Sequence, residues 1–527
     1  MAGHIWRWSL LFPPPSPPEP RRITLEGMTN LAQNLVASRT RRPDSVALRC
    51  DDQTYTYAQF DDAAARVATL LRQSGIEPGD RVGVMLPNGP AFAAAFYGIL
   101  YAGAVAVPMN PLLKAPEIEF YLSNTTARAL FAPPAFAGEA QAGAEAAGAG
   151  CWVVDDAGLV ALIDGLAAQP VPVNRADDDT AVVLHTSGTT GKPKGAELTH
   201  GGLGRNADVC VRTLLNIGPD DVVMGCLPLF HVFGLTCGLN SAVLAGATLS
   251  LLPRFDPART LELIERDGVT IFEGVPTMYS ALLAAAGTAS TDTLRIAVSG
   301  GAAIPVQVLQ DFEKTFDCPV LEGYGLSETS PVAAFNHPDR PRKPGSIGTP
   351  VEGVEMRVVD NDGAEVAQGE PGEIQIRGHN VMKGYWNLPE ATAEAINADG
   401  WFATGDIART DEDGYYYIVD RKKALIIRGG FNVYPREIEE VLYTHPAVAE
   451  AAVVGIPHDS LGEEVGAAVS LKPGLEVAAD ELREFVKSQV AAYKYPRRIW
   501  FLDDLPKGPT GKLLRREITI PTTESDN

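Results

Sequence analysis

Residues 186–195 read Thr-Ser-Gly-Thr-Thr-Gly-Lys-Pro-Lys-Gly and follow an apolar segment, 181–184, that predicts a buried strand. Hydroxyl groups and backbone N–H groups donate hydrogen bonds to phosphate oxygens, glycines let the backbone approach, and lysines neutralise charge. The string is not a Walker A loop, because no four residues separate a Gly from a Gly-Lys-Ser/Thr triplet. A flexible surface hairpin is the alternative, but this composition favours a loop that binds polyphosphate.

Strands and helices alternate on both sides of this loop. Thr56 and Gln59 form a capping-box pair that begins a helix, and Gly75 ends it. A strand, a helix and a second strand are then predicted at 81–86, 91–101 and 104–107. The alternation continues over 180–321, whereas the Ala- and Gly-rich stretch 132–150 predicts a surface helix or loop. Strand–helix–strand units of this spacing predict a parallel sheet, and the fold class is therefore α/β.

The pattern changes twice toward the C-terminus. Residues 345–417 combine short strands with Gly and Asp turns, which predicts a small β-rich subdomain. After residue 420 the sequence predicts a small α+β unit, in which Pro435 begins a helix. Its other predicted elements are strands at 448–454, 465–471 and 499–502 and a helix at 482–490.

These changes predict three parts of the chain. Residues 28–420 form a large N-terminal domain of parallel αβ-layered sheets plus the β-rich subdomain, and 421–527 form the small α+β C-terminal domain. Residues 1–27 contain six prolines between positions 13 and 20. They are interpreted as a flexible extension, or as an over-long start before the true initiator Met28.

Charge and cysteine content exclude several classes of function. The chain has 44 Lys and Arg against 66 Asp and Glu, a net charge of −22, which disfavours a general nucleic-acid or anionic-membrane binder. Its six cysteines form no Cys-x-x-Cys pair, which predicts reduced thiols and a cytoplasmic protein. No zinc-ligand spacing and no transmembrane-length apolar run occur. Peripheral membrane association and homodimer formation stay open.

Further segments make the sequence resemble the AMP-forming acyl-CoA synthetases, an adenylate-forming superfamily that includes luciferases and nonribosomal adenylation domains. The matching segments are LPLFHVFG at 227–234, SGGAA at 299–303, EGYGLSET at 322–329, GYW at 384–386, WFATGD at 401–406, DRKK at 420–423, GGFN at 429–432 and PKGPTGK at 506–512. The resemblance covers about residues 31–516, and these motifs, together with 186–195, are specific only as a set. The resemblance implies ligation of a carboxylic acid to CoA through an acyl adenylate. ATP and CoA are consumed, Mg²⁺ is required, and AMP and pyrophosphate are released.

The resemblance also implies a nucleotide site. Its members are Thr186, Ser187, Gly188, Thr189, Thr190, Lys194, Gly300, Gly301, Ala302, Glu322, Gly323, Tyr324, Asp406 and Arg421. Tyr324 offers a ring to stack on adenine, and the Asp406 carboxylate can accept two hydrogen bonds from ribose hydroxyls. A core tyrosine and a turn aspartate are the structural alternatives.

Adenylation needs charge neutralisation, because a carboxylate must attack the α-phosphorus of anionic ATP. Glu328 is the expected Mg²⁺ ligand, with Thr189, since Mg²⁺ takes one or two carboxylates together with phosphate oxygens. Ser327, where the family usually has Thr, can donate to the α-phosphate. By resemblance, Lys512 bridges the substrate carboxylate and the phosphate, and His231 separates the acyl and thiol sites or packs against the acyl carboxylate.

By resemblance, the small C-terminal domain is mobile and serves both half-reactions. In the family this domain rotates at the position of Lys423, and Gly430 matches the glycine that lines the pantetheine tunnel. Two residues depart from the family pattern: Ala424 replaces an acidic residue after the hinge, and His185 replaces an aromatic residue before the phosphate loop.

The acyl pocket is expected near Phe233, Gly234, Cys237 and Val332. Phe233 and Cys237 are apolar, and no basic residue in these segments could hold a second carboxylate. A medium- or long-chain fatty acid is therefore the leading substrate, and an aryl acid of the 4-coumarate type is second. Two other hypotheses are an adenylating enzyme that loads a carrier protein and a non-catalytic binding protein of this fold.

Overall fold

The computed structural model describes residues 30–521 except 170, 187–192, 288, 422–423, 430 and 459. The interpretation of residues 1–27 therefore lies outside the described residues. The α-helices in chain order are α1 Gln33–Arg41, α2 Tyr57–Gln73, α3 Pro90–Tyr101, α4 Ala115–Thr125, α5 Ala137–Ala146, α6 Asp156–Ile163, α7 His200–Val209, α8 Ser241–Ala245, α9 Pro257–Asp267, α10 Pro276–Ala285, α11 Val306–Phe316, α12 Pro389–Ala395, α13 Pro435–Tyr443 and α14 Ala479–Lys487.

The strands include each of the predicted ones, with shifted ends. In chain order they are β1 Val46–Cys50, β2 Gln53–Thr56, β3 Arg81–Val84, β4 Val105–Pro108, β5 Ala129–Ala132, β6 Gly150–Val153, β7 Thr180–Thr186, β8 Lys194–Thr199, β9 Val222–Gly225, β10 Thr248–Leu251, β11 Ile271–Gly274, β12 Ile296–Ser299, β13 Val320–Gly325, β14 Val332–Phe335, β15 Thr349–Pro350, β16 Val354–Val359, β17 Gly372–Gly378, β18 Gly384–Tyr385, β19 Phe402–Thr410, β20 Tyr416–Arg421, β21 Ile426–Arg428, β22 Phe431–Val433, β23 Val448–His458, β24 Gly462–Leu471 and β25 Arg498–Phe501. Two π-helical segments, Cys210–Leu214 and Phe233–Asn240, extend α7 and precede α8.

The capping box predicted at the start of α2 is confirmed. The Thr56 hydroxyl accepts from the Gln59 backbone N–H at 3.2 Å, and the Gln59 side chain accepts from the Thr56 N–H at 2.9 Å. Helix α2 packs on the fully buried α3 so closely that a Cβ at Gly98 would lie 2.5 Å from Val67. Buried residues of both helices belong to the largest apolar cluster of the core, together with residues of the sheets.

Two large sheets carry the N-terminal part of the chain. The nine-stranded sheet has the order β15-β14-β13-β12-β11-β9-β10-β1-β2, and its six central strands run parallel. The seven-stranded sheet has the order β18-β8-β7-β4-β3-β5-β6, with β7, β4, β3, β5 and β6 parallel. The predicted α/β class with parallel sheets is therefore confirmed.

The C-terminal third is built differently. Strands β16, β17, β19 and β20 form an antiparallel sheet, as the β-rich prediction for 345–417 requires. Strands β21–β25 form a further sheet with its own apolar clusters, on which α13 and α14 pack. The helix predicted at 482–490 ends earlier, at Lys487, and 132–150 contains the helix α5. Within the part of the chain that the structure describes, no helix is long and apolar enough to cross a membrane.

Candidate active site

A cavity of 850 Å³ lies at the carboxyl ends of the parallel strands, where open α/β sheets bind their ligands. Strand β12 ends beside Gly300 and β13 at Gly325, and the loop at Lys512 from the C-terminal part of the chain closes the opposite wall. The structure brings to this cavity the predicted residues Thr186, Lys194, His231, Phe233, Cys237, Gly300, Gly301, Gly323, Tyr324, Ser327, Glu328, Val332, Arg421 and Lys512.

An adjoining cavity of 680 Å³ contains three further predicted residues. Ala302, Glu322 and Asp406 line it, and it shares Tyr324 and Lys512 with the larger cavity. The predicted residues Ser187, Gly188, Thr189, Thr190, Lys423 and Gly430 lie outside the described residues.

Gly234, also expected near the acyl pocket, follows the lining residue Phe233 but lines neither cavity itself. A Cβ at Gly234 would lie 2.6 Å from the Pro228 carbonyl oxygen. The residue lets the π-helical segment at Phe233 approach the preceding backbone. A side chain at this position would collide with that backbone, which accounts for the glycine.

Three side chains form a fixed polar network on the nucleotide side. The Tyr324 hydroxyl donates to Asp406 Oδ2 at 2.6 Å, and Arg421 Nε lies 3.1 Å from Asp406 Oδ1. Register places Asp406 and Arg421 opposite each other on the antiparallel pair β19 and β20. Each carboxylate oxygen keeps a second lone pair, so the buried Asp406 can still accept from a ligand hydroxyl.

Glu328 lies on a short turn directly after β13 and is 9% exposed. The Tyr385 hydroxyl donates to its Oε1 at 3.0 Å, and burial raises the pKa of this carboxyl. Lys194, the second lysine of the phosphate-loop string, stacks over the Tyr385 ring at 4.9 Å. A buried carboxylate next to the phosphate loop fits Mg²⁺, which pairs one or two carboxylates with phosphate oxygens.

Lys512 reaches the cavity on a tight turn. Gly508 donates its N–H to the Lys512 carbonyl at 2.7 Å, and the Gly511 carbonyl accepts from the Thr277 hydroxyl of α10 at 2.9 Å. Burial lowers the pKa of Lys512 to about 8, with Arg421 adding repulsion and Asp406 opposing it. This loop therefore places the Lys512 ammonium group, whose pKa is lowered, at the ends of the strands.

His231 faces the same space as Lys512. Burial lowers the pKa of His231 to about 4, and the nearby Lys512 charge acts in the same direction. The imidazole is consequently neutral at pH 7. A neutral ring beside a cation can pack against a carboxylate or accept a hydrogen bond, but it adds no charge of its own.

The acyl side of the cavity is mostly apolar. Phe233 packs its ring on Gly300, where a Cβ would lie 2.9 Å from the ring. Cys237 lies one turn beyond, with its Sγ 3.9 Å from that of Cys210. The other apolar lining residues there are Leu214, Leu215, Leu227, Val298 and Val332.

Sequence reasoning missed three residues of this site. Glu273 lines the acyl side although it lies in the otherwise apolar strand β11, and a lone acid in such a strand was the available signal. Tyr385 stands in a quoted motif, but only the structure shows its bond to Glu328. Arg515 binds Glu439 through Nη2 at 2.6 Å and thereby anchors the segment after Lys512 to α13.

The two departures from the family pattern have local contacts. His185 lines the cavity, lies 3.1 Å from Asn124 Oδ1 and packs against the Tyr121 ring at 4.2 Å. Ala424 closes a turn by donating its N–H to the Arg421 carbonyl at 2.9 Å. Neither contact blocks the cavity.

Comparison with known proteins agrees with this geometry. The AMP-binding enzyme family matches residues 35–386, and the AMP-binding enzyme C-terminal domain matches 437–512. The chain belongs to the AMP-binding enzyme family. It is thus a member of the adenylate-forming superfamily of acyl-CoA synthetases, as its motifs indicated, and an AMP-forming acid–CoA ligase that uses ATP, Mg²⁺ and CoA.

Relatives within the family differ in the acid they are named for. A long-chain-fatty-acid–CoA ligase of Bacillus subtilis is 36% identical over 556 residues, covering 96% of this chain and 97% of the relative. A feruloyl-CoA synthase of Amycolatopsis is 38% identical over 481 residues, covering 90% and 96%. The ATP-bound crystal structure of MatB from Rhodopseudomonas palustris has a TM-score of 0.87 at 33% identity, covering 93% of this chain and 97% of that one.

Proposed function

We propose that this ligase joins a medium- or long-chain fatty acid to CoA, and that Lys512 and Glu328 are its central catalytic residues. The observation that carries the proposal is one cavity that combines these two side chains with an arm lined by Phe233, Cys237 and Val332. An alkyl chain can lie along the apolar arm while its carboxylate reaches the charged groups.

In the first half-reaction the acid's carboxylate oxygen attacks the α-phosphorus of ATP and pyrophosphate leaves. Lys512 neutralises both anions as they approach, and Ser327 donates to the α-phosphate. Tyr324 stacks on the adenine, while Asp406 and Arg421 hold the ribose. Glu328 and Thr189 would hold Mg²⁺, which would supply positive charge at the phosphate oxygens.

In the second half-reaction the CoA sulfur attacks the acyl carbonyl carbon, and AMP leaves with the electrons of the broken acyl–phosphate bond. A neutral His231 separates the acyl and thiol spaces without competing for their charges. We assign residues 421–527 as the small mobile domain that hinges at Lys423. Gly430 is assigned to the pantetheine tunnel, where a side chain would obstruct the thiol.

An aryl acid is the second candidate. It is favoured by the feruloyl-CoA synthase relative and by the presence of Glu273 in an arm that the sequence predicted to be apolar. Carrier-protein loading is a weaker alternative, because two of the relatives described above are named for CoA.

A panel of acids tests the assignment directly. Purified protein is incubated with ATP, Mg²⁺ and CoA and with saturated acids of increasing length, cinnamates and benzoates, and CoA-dependent AMP release is measured. Highest kcat/KM for a medium- or long-chain acid supports the proposal, and highest kcat/KM for an aryl acid selects the alternative. AMP release only with an acyl carrier protein would contradict the use of CoA.

A further inference from the structure

Glu273 is a buried acid that the reaction steps above do not use. It is 1% exposed and lines the main cavity, and its Oε1 has no hydrogen-bond partner among the described residues. Native proteins pair nearly all buried polar atoms, so an orphan that faces a ligand cavity points to a partner supplied by the ligand.

The position of Glu273 within the cavity follows from strand register. Glu273 on β11 pairs with Val298 on β12, and Gly300 lies two residues further along the same face. Two residues of strand span about 6.6 Å, so Glu273 lies about that far from Gly300 along the sheet. The carboxyl is therefore deeper in the acyl arm than the residues at the strand ends.

Contacts with the opposite wall of the cavity place the Glu273 carboxyl at the same depth in the acyl arm. A Cβ at Gly238 would lie 3.6 Å from Glu273 Oε2, and Gly238 is one turn beyond the Phe233 ring that covers Gly300. Val298 and Cys237 flank this point. The carboxyl thus faces the place where the body of an acyl group would lie, well away from its reacting carboxylate.

A partner within the protein is not available on the other side of the strand. Tyr279 carries a buried hydroxyl, but its ring packs on Phe272, whose side chain points to the opposite face of β11. The Cys226 thiol donates to the Glu273 backbone carbonyl at 3.6 Å rather than to the carboxyl. Among the described residues, Glu273 Oε1 therefore has no hydrogen-bond partner, although the residue lines the cavity.

The chemistry of this carboxyl defines what it can bind. Burial raises the pKa of Glu273 to about 8, so the group is neutral at pH 7, with one O–H donor and acceptor oxygens. A hydroxyl also both donates and accepts, so it complements a neutral carboxyl. An ammonium group would instead require an ionised carboxylate among apolar neighbours.

We propose that Glu273 is a specificity-determining residue that hydrogen-bonds a hydroxyl group on the acyl part of the substrate. The inference rests on the proposed acid–CoA ligase reaction and narrows its substrate to an apolar acid with one hydroxyl on its chain or ring. A hydroxylated fatty acid and a hydroxyaryl acid share this chemistry. The site rejects the plain analogue because the buried carboxyl then stays unpaired.

Matched pairs of acids test the inference on the wild-type protein. Each ω-hydroxy acid from hexanoate to dodecanoate is compared with its unsubstituted parent, and para-hydroxycinnamate is compared with cinnamate. We expect kcat/KM for CoA-dependent AMP release to favour the hydroxylated member by at least about tenfold in one of the two series. The series that shows the preference identifies the source of the hydroxyl. Preference for the unsubstituted member in both series overturns the inference.

Variants separate hydrogen bonding from pocket shape. Glu273→Gln, which keeps a donor and an acceptor, should retain the preference, whereas Glu273→Leu should abolish or invert it. Val298→Ile, which changes volume only, should alter kcat/KM for both members of a pair by a similar factor. An unchanged preference in folded Glu273→Leu contradicts the inference. Absence of AMP release with every acid would instead contradict the proposed function itself.

Discussion

The two sides of the main cavity satisfy their polar groups in opposite ways. On the nucleotide side, Asp406 is held by Tyr324 and Arg421, and Glu328 receives a hydrogen bond from Tyr385. On the acyl side the described lining is mostly apolar and includes Glu273, whose Oε1 has no partner among the described residues. The nucleotide side is organised before any ligand arrives, whereas the acyl side leaves this oxygen to the ligand.

This difference separates the chemistry of the reaction from selection of the acid. Transfer of an adenylyl group needs fixed charges at fixed positions, and a preorganised network provides them without reorganisation. Selection among acids needs only shape and one or two polar contacts. The relatives named for fatty and feruloyl substrates at similar identity are consistent with that separation.

The largest expected effect comes from removing the cation that joins the two sides. Lys512→Ala should reduce acid-dependent ATP–pyrophosphate exchange by about 10²–10³-fold, because the cation assigned to bridge the two anions is lost. Thioester formation from supplied acyl adenylate and CoA should stay within a few-fold of wild type.

Lys507→Ala is the matched control for Lys512. Lys507 lies on the same segment and lines neither cavity, and its ammonium group pairs with Glu450 and Asp504. Its loss should leave pyrophosphate exchange nearly unchanged. Equal loss of both half-reactions in Lys512→Ala would refute the assignment of Lys512 to adenylation alone.

A smaller effect is expected from breaking the nucleotide network. Asp406→Asn removes the charge that Arg421 and Tyr324 hold, and KM for ATP should rise about tenfold or more, since hydrogen bonds to charged groups are the stronger ones. The comparison variant Tyr417→Phe loses a hydroxyl bond to Asp411, which lies outside the cavities. An unaltered KM in Asp406→Asn would show that the nucleotide binds elsewhere.

The pH dependence of adenylation follows from Lys512. Its pKa is lowered to about 8, so the side chain is a cation below that pH and loses its charge above it. The kcat/KM for ATP in pyrophosphate exchange should fall about tenfold from about pH 7 to about pH 9. Lys512→Arg, if active, should lose this alkaline decline because guanidinium stays protonated. A flat wild-type profile would argue against a charged Lys512 in this step.

The smallest effect is expected far from both sides of the cavity. Thr56→Ala removes the cap of α2 and should cost about 1 kcal/mol, lowering Tm by about 1–2 °C. Thr40→Ala, which removes an exposed hydroxyl in α1, should lower Tm less. Because neither residue lines the cavity, AMP release at 25 °C should be unchanged, and a large activity loss would contradict this separation of stability from function.

Sequence patterns predicted the fold wherever local chemistry determines it. The capping box at Thr56, the helix that begins at Pro435 and the alternation of strands with helices needed only neighbouring residues. Strand order could not be predicted, because β1 pairs with β10 some 200 residues later in the chain, and only tertiary packing selects that partner.

The candidate site likewise contains some residues that the sequence could predict and others that depend on tertiary packing. Motifs located Lys512, Glu328, Tyr324 and Asp406, since their residue types and spacing follow from nucleotide chemistry. Glu273 was missed because its importance depends on which face of β11 borders the cavity, a fact set by packing with β12. The close approach of Gly234 to the Pro228 backbone could not be predicted from the sequence either, because it depends on how the π-helical segment packs.

The central claim is that the protein ligates an acid to CoA through an acyl adenylate. The stoichiometry of a single reaction tests it most directly. Wild-type protein is supplied with ATP, Mg²⁺, CoA and its preferred acid, and AMP and acyl-CoA are quantified together. The account predicts one acyl-CoA for each AMP, and pyrophosphate exchange that requires the acid but not CoA. Formation of ADP, or AMP released without acyl-CoA when CoA is saturating, would contradict it.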